Sequence, residues 1–240
     1  MNSDLQRTIQ TNIEQVNERI IQTAQRAGRD PASIGLVAVT KQKSAVVVKT
    51  LLDCGIHRIG ESYLKEALFK IDLLSDLPVE WHMIGNIQSG KEKKIAKAFD
   101  CVHSVGGLET ARELSEYAAK IPKELPVYLE LNVSGEDTKG GWAAGDQTSW
   151  SDLLPDFLEI LDMPGLRPQG LMTMAPYSDN PENARPYFRT LRNIRDYLGK
   201  ELQTNELAGL SMGMSGDFEA AIEEGATLLR IGSALVGPRE

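Results

Sequence analysis

Apolar residues near the start of the chain follow the period of an α-helix. They recur every three or four positions, at Leu5, Ile9, Ile13, Val16 and Ile20. Side chains at this spacing share one helix face, so the segment predicts an amphipathic helix that packs against the rest of the protein. Ser3 or Asp4 is the expected N-cap, and Gly28 and Pro31 are expected to end the helix.

Short apolar runs alternate with longer amphipathic segments along the rest of the chain. The first run, 34–39, is rich in branched side chains and too short for a helix, so it predicts a buried strand. The same criteria predict seven more strands, at 56–59, 79–84, 101–105, 127–132, 166–173, 208–211 and 227–231. The predicted helices between the strands span 44–54, 62–74, 90–99, 108–119, 149–161, 181–198 and 216–224.

This alternation indicates the fold class. Strands that alternate with helices form parallel βαβ units, and eight such units in about 250 residues make a TIM barrel. We therefore expect an α/β protein with one domain over residues 1–240, a (β/α)8 TIM barrel with an extra N-terminal helix. A doubly wound sheet is the alternative, but its G-x-G-x-x-G turn after the first strand is missing. The irregular stretch 133–148 predicts a mobile loop over one face.

Composition and charge narrow the function classes. The chain is 41% hydrophobic and 25% charged, which is ordinary for a folded soluble protein, and its net charge of −8 argues against binding nucleic acid or an anionic membrane. No apolar run reaches the roughly 18–20 residues of a membrane span, and the polar N-terminus does not resemble a signal peptide. We expect a cytoplasmic protein in which Cys54 and Cys101 are buried, reduced thiols. Three histidines and two cysteines leave little for a transition-metal site.

Lys41 is the first candidate for chemistry. It follows the first predicted strand, and the carboxyl ends of barrel strands carry the active site. Apolar surroundings favour the neutral amine of a lysine, and a neutral amine can form a Schiff base with an aldehyde. Position alone does not separate this interpretation from an ordinary solvated lysine.

Two turns near the C-terminus form a second candidate site. Ser215 is the predicted N-cap of a helix, and Gly232 and Ser233 follow the last strand. The loops after strands 7 and 8 of a barrel often bind phosphate through backbone amides, although simple capping and turn chemistry remains an alternative. Arg230 lies within the last apolar strand and needs an acceptor, either a structural carboxylate or a ligand atom. His82 alternates with apolar residues in its strand, a pattern more typical of a core histidine.

Several motifs resemble one known family. They are LVAVTKQKS, HRIGESYLKEA, WHMIGNIQSGK, GEDTKGG, GLMTMAP and LSMGMSGDFEAAIEEGATLLRIGSALVGPR, which together run nearly end to end. They are similar to the YggS/PROSC family of pyridoxal 5′-phosphate (PLP) homeostasis proteins. This family looks like the N-terminal barrel of alanine racemase without the second domain.

The resemblance implies a PLP site. Lys41 matches the lysine that holds PLP as a Schiff base, and Arg230 matches the arginine that faces the pyridine nitrogen. The other expected cofactor contacts are Ser215, Gly232 and Ser233 near the phosphate, together with Met214, Ser62 and His82. The family commonly has asparagine where this chain has Ser62 and Gly90, so a shorter side chain would make the contact at position 62.

The resemblance also implies little catalysis. An arginine beside the pyridine nitrogen disfavours its protonation, which weakens the ring as an electron sink. Alanine racemases take a second acid/base group from the domain that this family lacks. We therefore expect a monomeric PLP carrier in intracellular vitamin B6 homeostasis, with apo PLP enzymes or amino acids as further partners. A PLP-dependent amino-acid racemase is the alternative, and a Schiff-base aldolase without PLP is a third possibility.

Overall fold

A computed structural model describes residues 2–136 and 138–238 of the protein. It contains an N-terminal helix followed by alternating strands and helices. In chain order these are α1 (Asn2–Arg26), β1 (Gly35–Val39), α2 (Ala45–Asp53), β2 (Arg58–Glu61), α3 (Leu64–Leu73), β3 (Glu80–Met83), α4 (Glu92–Ala98), β4 (Cys101–Val105), α5 (Leu108–Ala118), β5 (Leu125–Asn132), β6 (Trp142–Ala143), α6 (Leu154–Leu161), β7 (Leu166–Met172), α7 (Arg185–Glu201), β8 (Gly209–Ser211), α8 (Phe218–Glu223), β9 (Leu228–Ile231) and α9 (Ser233–Val236).

Eight of the strands close a parallel barrel. Their order is β4-β3-β2-β1-β9-β8-β7-β5, and pairing of β4 with β5 completes the ring. The first and last strands are neighbours, with Val37 of β1 opposite Arg230 of β9. This closure confirms the predicted (β/α)8 TIM barrel. All eight predicted strands are present, with ends shifted by up to two residues.

Helix α1 packs its apolar stripe against the barrel's outer helices. Ile9, Ile13 and Val16 are buried, and the helix contacts α2, α8 and α9. The Asn12 amide donates a 2.9 Å hydrogen bond to the Leu235 carbonyl, so α1 supports α9 at the opposite end of the chain. The predicted caps are wrong, because the helix already begins at Asn2. Gly28 adopts a left-handed conformation after the helix, as expected of a stop signal.

The stretch 133–148 is more structured than the sequence suggested. Its strand β6 pairs in parallel with β5 outside the barrel ring. The Lys139 ammonium donates a 3.0 Å hydrogen bond to the Met174 carbonyl, which joins this loop to the one after β7. Asp137, within the same stretch, lies outside the described residues. The loop therefore borders the carboxyl end of the barrel through specific contacts.

The two cysteines differ in burial. Both are free thiols, but only Cys101 is buried as predicted, whereas Cys54 is partly exposed at the end of α2. Within residues 2–136 and 138–238, no helix has the length and apolar character that a membrane crossing requires.

Candidate functional site

A cavity of about 770 Å³ opens at the carboxyl end of the barrel. Side chains that follow β1, β2, β3, β7, β8 and β9 line it, so it lies where TIM barrels carry their active sites. Seven of the eight residues that the sequence suggested for the cofactor line this cavity: Lys41, Ser62, Met214, Ser215, Arg230, Gly232 and Ser233. Residues far apart in the chain are thus brought to one site.

Lys41 sits in a tight turn directly after β1. The Lys43 amide donates to the Thr40 carbonyl at 3.0 Å, and Gln42 has a φ of +62°. A positive φ at the third position of a four-residue turn is typical of a type II turn, which places Lys41 at the second position. The Gln42 amide in turn donates to the Glu66 carboxylate at 2.7 Å. The turn is therefore held at both of its ends.

A buried ionic network lies beneath this turn. The Lys70 ammonium is 2% exposed and donates to the Thr40 carbonyl at 2.8 Å, to Glu61 at 2.7 Å and to Glu66 at 2.6 Å. The Thr40 hydroxyl also donates to Glu61, at 2.5 Å. Burial raises the pKa of Glu61, and the hydrogen bond from Lys70 opposes that shift. This network could not be predicted from the sequence, because the i,i+4 spacing of Glu66 and Lys70 does not show that they face β1.

Ser215 joins the turns after β8 and β9. Its hydroxyl oxygen accepts hydrogen bonds from the backbone amides of Gly232 at 3.1 Å and Ala234 at 3.2 Å. The predicted cap is wrong, because α8 begins later, at Phe218, and Ser215 bonds across to the next turn instead. The hydroxyl groups of Ser215 and Ser233 therefore both line the cavity, where the turns after β8 and β9 meet. Such a group of donors suits a phosphate.

Arg230 projects from β9 into the cavity and is 4% exposed. Its guanidinium donates to the Ser211 hydroxyl at 2.6 Å and to the Thr173 carbonyl at 2.9 Å. Burial lowers the pKa of Arg230 to about 10, while Glu130 and Asp217 oppose the shift. The guanidinium stays cationic at neutral pH. Its two hydrogen-bond acceptors, the Ser211 hydroxyl and the Thr173 carbonyl, are not carboxylates.

Glu130 lines the cavity although the sequence did not suggest it as a site residue. It is 7% exposed, and burial raises the pKa of its carboxyl group while Arg230 opposes the shift. Gly141 packs on its backbone so closely that an added Cβ would lie 2.3 Å from the Glu130 carbonyl oxygen. The position of Glu130 within the apolar run YLELN could have identified it, because a buried carboxylate needs a compensating partner or a functional role.

His82 is not brought to the cavity, contrary to the expectation of a cofactor contact. It lies inside the barrel below the strand ends. Its Nδ1 is hydrogen-bonded to Nε2 of His103 at 2.8 Å, and its Nε2 to the Glu80 carboxylate at 3.1 Å. The Cys101 thiol lies within 4.8 Å of both rings. Burial raises the pKa of that thiol, and the two histidine rings are joined by a direct hydrogen bond.

Comparison with known proteins identifies the family of this chain. Residues 9–240 match the family described as alanine racemase, N-terminal domain. A pyridoxal phosphate homeostasis protein of Pseudomonas aeruginosa is 45% identical over 234 residues, which cover 97% of this chain and 96% of that protein. The chain belongs to the pyridoxal phosphate homeostasis protein family.

Solved structures extend the comparison. PipY of Synechococcus elongatus, a structure with PLP bound, superposes with a TM-score of 0.78 at 29% identity, over 92% of this chain and all of that one. An alanine racemase of Clostridium difficile has a TM-score of 0.71 at 15% identity, over 95% of this chain and 56% of that one. The second match shows a shared fold and confirms the predicted likeness to the alanine racemase barrel. This chain thus has the same barrel fold as a structure with PLP bound and as the alanine racemases.

Proposed function

We propose that this protein binds PLP in the cavity, holds it covalently through Lys41 and serves PLP homeostasis rather than efficient catalysis. The observation that carries the proposal is the convergence of three groups in one cavity. These are a lysine after β1, the phosphate-suited donors after β8 and β9, and a buried arginine. The family name and the PLP-bound PipY structure support the same cofactor.

The residues present fit PLP in size and chemistry. Small-ligand sites typically enclose about 300–1,000 Å³, and this cavity lies within that range. Gly216 has open space where a Cβ would stand, so a phosphate can approach the donors of Ser215 and Ser233. PLP brings an aldehyde that condenses with a lysine amine, with loss of water, and a ring that can withdraw electrons. Lys41 is the amine at the cavity wall, and its turn is fixed by Glu66 and Lys70.

Arg230 supports a carrier rather than a strong catalyst. Its cationic guanidinium donates hydrogen bonds and cannot accept one, so it disfavours a proton on a ring nitrogen placed beside it. An unprotonated ring withdraws electrons weakly, which slows removal of a proton from an amino-acid Cα. We further propose that the protein is a cytoplasmic monomer and that it transfers PLP to apo enzymes.

A racemase remains the second candidate because of Glu130. Its buried carboxyl group has a raised pKa and faces the cavity, as an acid/base group would. Proton NMR of alanine in deuterated water, with the PLP-loaded protein, separates the two functions. We expect negligible Cα exchange. Rapid exchange with inversion that is lost in Glu130→Gln would establish the racemase instead.

Borohydride trapping tests the attachment itself. The purified protein is mixed with PLP, reduced, digested and mapped by mass spectrometry. We expect the pyridoxyl group on Lys41 and none in Lys41→Ala. A label on Lys43 or Lys139 instead would contradict the assignment.

A further inference from the structure

A chain of hydrogen bonds runs through the barrel interior from the cavity to the opposite end. Arg230 donates to the Ser211 hydroxyl at 2.6 Å, and that hydroxyl lies 2.8 Å from Nδ1 of His103. Nε2 of His103 lies 2.8 Å from Nδ1 of His82, and Nε2 of His82 lies 3.1 Å from the Glu80 carboxylate. Ser211, His103 and His82 are buried, whereas Glu80 lines a surface cavity at the amino-terminal end of the barrel.

The chemistry of the five groups fixes the direction of every donor when both rings are neutral. The Glu80 carboxylate only accepts, so Nε2 of His82 carries the proton and Nδ1 of His82 accepts. Nε2 of His103 therefore donates to His82, and Nδ1 of His103 accepts from the Ser211 hydroxyl. The Ser211 oxygen accepts from Arg230, which can only donate. All donors then point from the cavity toward Glu80.

A proton added to His82 reverses part of this order. His82 then donates from both nitrogens, so Nε2 of His103 must accept and its proton moves to Nδ1. That nitrogen donates to Ser211, whose oxygen now accepts from both His103 and Arg230. Ser211 no longer donates to His103, and a positive charge has entered the chain that holds Arg230. The chain thus has two defined states that differ by one proton.

The surroundings favour His82 over His103 as the ring that takes up the proton. Burial lowers the pKa of His103 well below its ordinary value, and His82 and Arg230 add to the shift. His82 contacts the carboxylate of Glu80, which is itself reached from solvent. The other charged or titratable groups near the two rings are Cys101, Tyr128 and Arg230. Arg58 pairs with Glu80, and Asp100 and Arg167 act on Cys101.

We propose that Ser211, His103 and His82 form a proton relay. They are positioning residues that couple protonation at the amino-terminal end of the barrel to Arg230 in the cavity. This inference rests on the proposed function for the role of Arg230 beside the pyridine nitrogen. Acid loads the chain with positive charge, weakens the hold on Arg230 and lowers the affinity for PLP. The relay thereby makes PLP release respond to pH.

The first test uses the protein without PLP. The chain has three histidines, so nitrogen-15 NMR of labelled protein gives three imidazole signals, and His57 near the surface is the internal control. Spectra are recorded as the pH is lowered in steps, and the His82 signal shows when that ring has gained a proton. In the same steps, the proton of His103 should move from Nε2 to Nδ1. A His103 tautomer that is constant across these steps would overturn the relay.

The second test compares PLP affinity of the wild type and His82→Gln across the same pH steps. A glutamine can donate to Glu80 and accept from His103 but takes up no proton, so it fixes the neutral state. We expect acid to weaken PLP binding more in the wild type than in His82→Gln. The extra loss should be about two- to tenfold, the range for one altered hydrogen bond. Ser211→Ala should lower the affinity for PLP and should lose the extra weakening by acid. Ser211→Thr, which keeps the hydroxyl group, should restore the affinity and its pH dependence.

The outcomes separate the relay from the proposed function. If neither protein binds PLP, the proposed function fails, while the NMR measurement still decides whether the proton relay exists. If both proteins bind PLP with the same pH dependence, the coupling is wrong although the proposed function stands.

Discussion

The ammonium group of Lys70 donates a 2.8 Å hydrogen bond to the backbone carbonyl of Thr40, the residue before Lys41. A buried cation on α3 therefore fixes the peptide that precedes the cavity lysine. The same ammonium donates hydrogen bonds to both Glu61 and Glu66, and Glu66 also accepts a hydrogen bond from the Gln42 amide on the other side of the turn. The conformation of the Lys41 turn thus depends on side chains from the next βα unit.

Replacing Lys70 should destabilise the protein severely. In Lys70→Met, the buried Glu61 loses its counter-ion, and its Oε2 already has no hydrogen-bond partner within the described residues. Breaking a buried ion pair from one side costs about 3–5 kcal/mol. The free energy of unfolding in urea measures the loss. Lys65→Met, on the exposed face of the same helix, is the control and should change stability by less than about 0.5 kcal/mol. Equal effects would show that the network contributes nothing.

Removing the Ser215 hydroxyl should weaken PLP binding. Ser215→Ala loses a donor to the phosphate and the link between the turns after β8 and β9. The expected cost is about 1–3 kcal/mol, the range for a hydrogen bond to a charged group. Absorbance titration measures the affinity, and Ser151→Ala, at an exposed position, is the control. Pyridoxal, which has no phosphate, should bind the wild type and Ser215→Ala alike. A large difference for pyridoxal would place the effect elsewhere.

Acid unfolding should depend on Glu80. The hydrogen bond from His82 is the main cause that lowers the pKa of Glu80 to about 2. The unfolded carboxyl group binds its proton at higher pH than the folded one, so acid favours unfolding between about pH 4.5 and 2. Above that window the stabilisation is complete. Glu80→Gln should flatten the fall in stability with acid, measured by urea unfolding at stepped pH. Glu124→Gln, at the same end of the barrel, should leave the acid slope of the wild type unchanged, and a matching slope in Glu80→Gln would refute the prediction.

Adding a methyl group at Gly141 should disturb the cavity. Gly141 has a φ of +98°, and its Cβ would stand 2.3 Å from the Glu130 carbonyl. Gly90→Ala is the matched control, because Gly90 also has a positive φ, +79°, but open space around it. Both variants bear the conformational cost of about 1–3 kcal/mol, and only Gly141→Ala must also displace Glu130. Thermal unfolding and PLP affinity should both fall further for Gly141→Ala. Equal losses in the two variants would rule out the close approach.

Local periodicity was enough to predict the barrel. The apolar runs of branched residues gave all eight barrel strands, because a strand buried on both faces has a continuous apolar sequence. Lys41 and Arg230 could be identified as candidates for the same reason, since each interrupts or ends such a run. The positive φ of Gly90 also explains the departure noted there, because asparagine is the next residue to tolerate that conformation.

Contacts between distant segments could not be predicted. Ser215 looked like a helix cap because its partners, Gly232 and Ala234, belong to the next βα unit. The strand pattern of His82 was that of a core histidine, and only the family resemblance suggested a cofactor contact; its neighbour His103 holds it within the barrel. Glu130 was overlooked because its surroundings come from another loop and strand. In each case the deciding partner is a side chain or amide that only barrel closure brings near.

The pairing of β1 with β9 places the proposed PLP contacts on both sides of the junction where the barrel's first and last strands meet. Lys41 follows one strand, and Arg230, Gly232 and Ser233 belong to or follow the other. A molecule held by both sides acts as a noncovalent cross-link between the two ends of the chain. Local opening of this junction would then have to precede or accompany loss of the ligand, and amide hydrogen exchange in β1 and β9 would slow when PLP binds. Retention of the cofactor and closure of the barrel are, on this geometry, coupled equilibria, each of which favours the other.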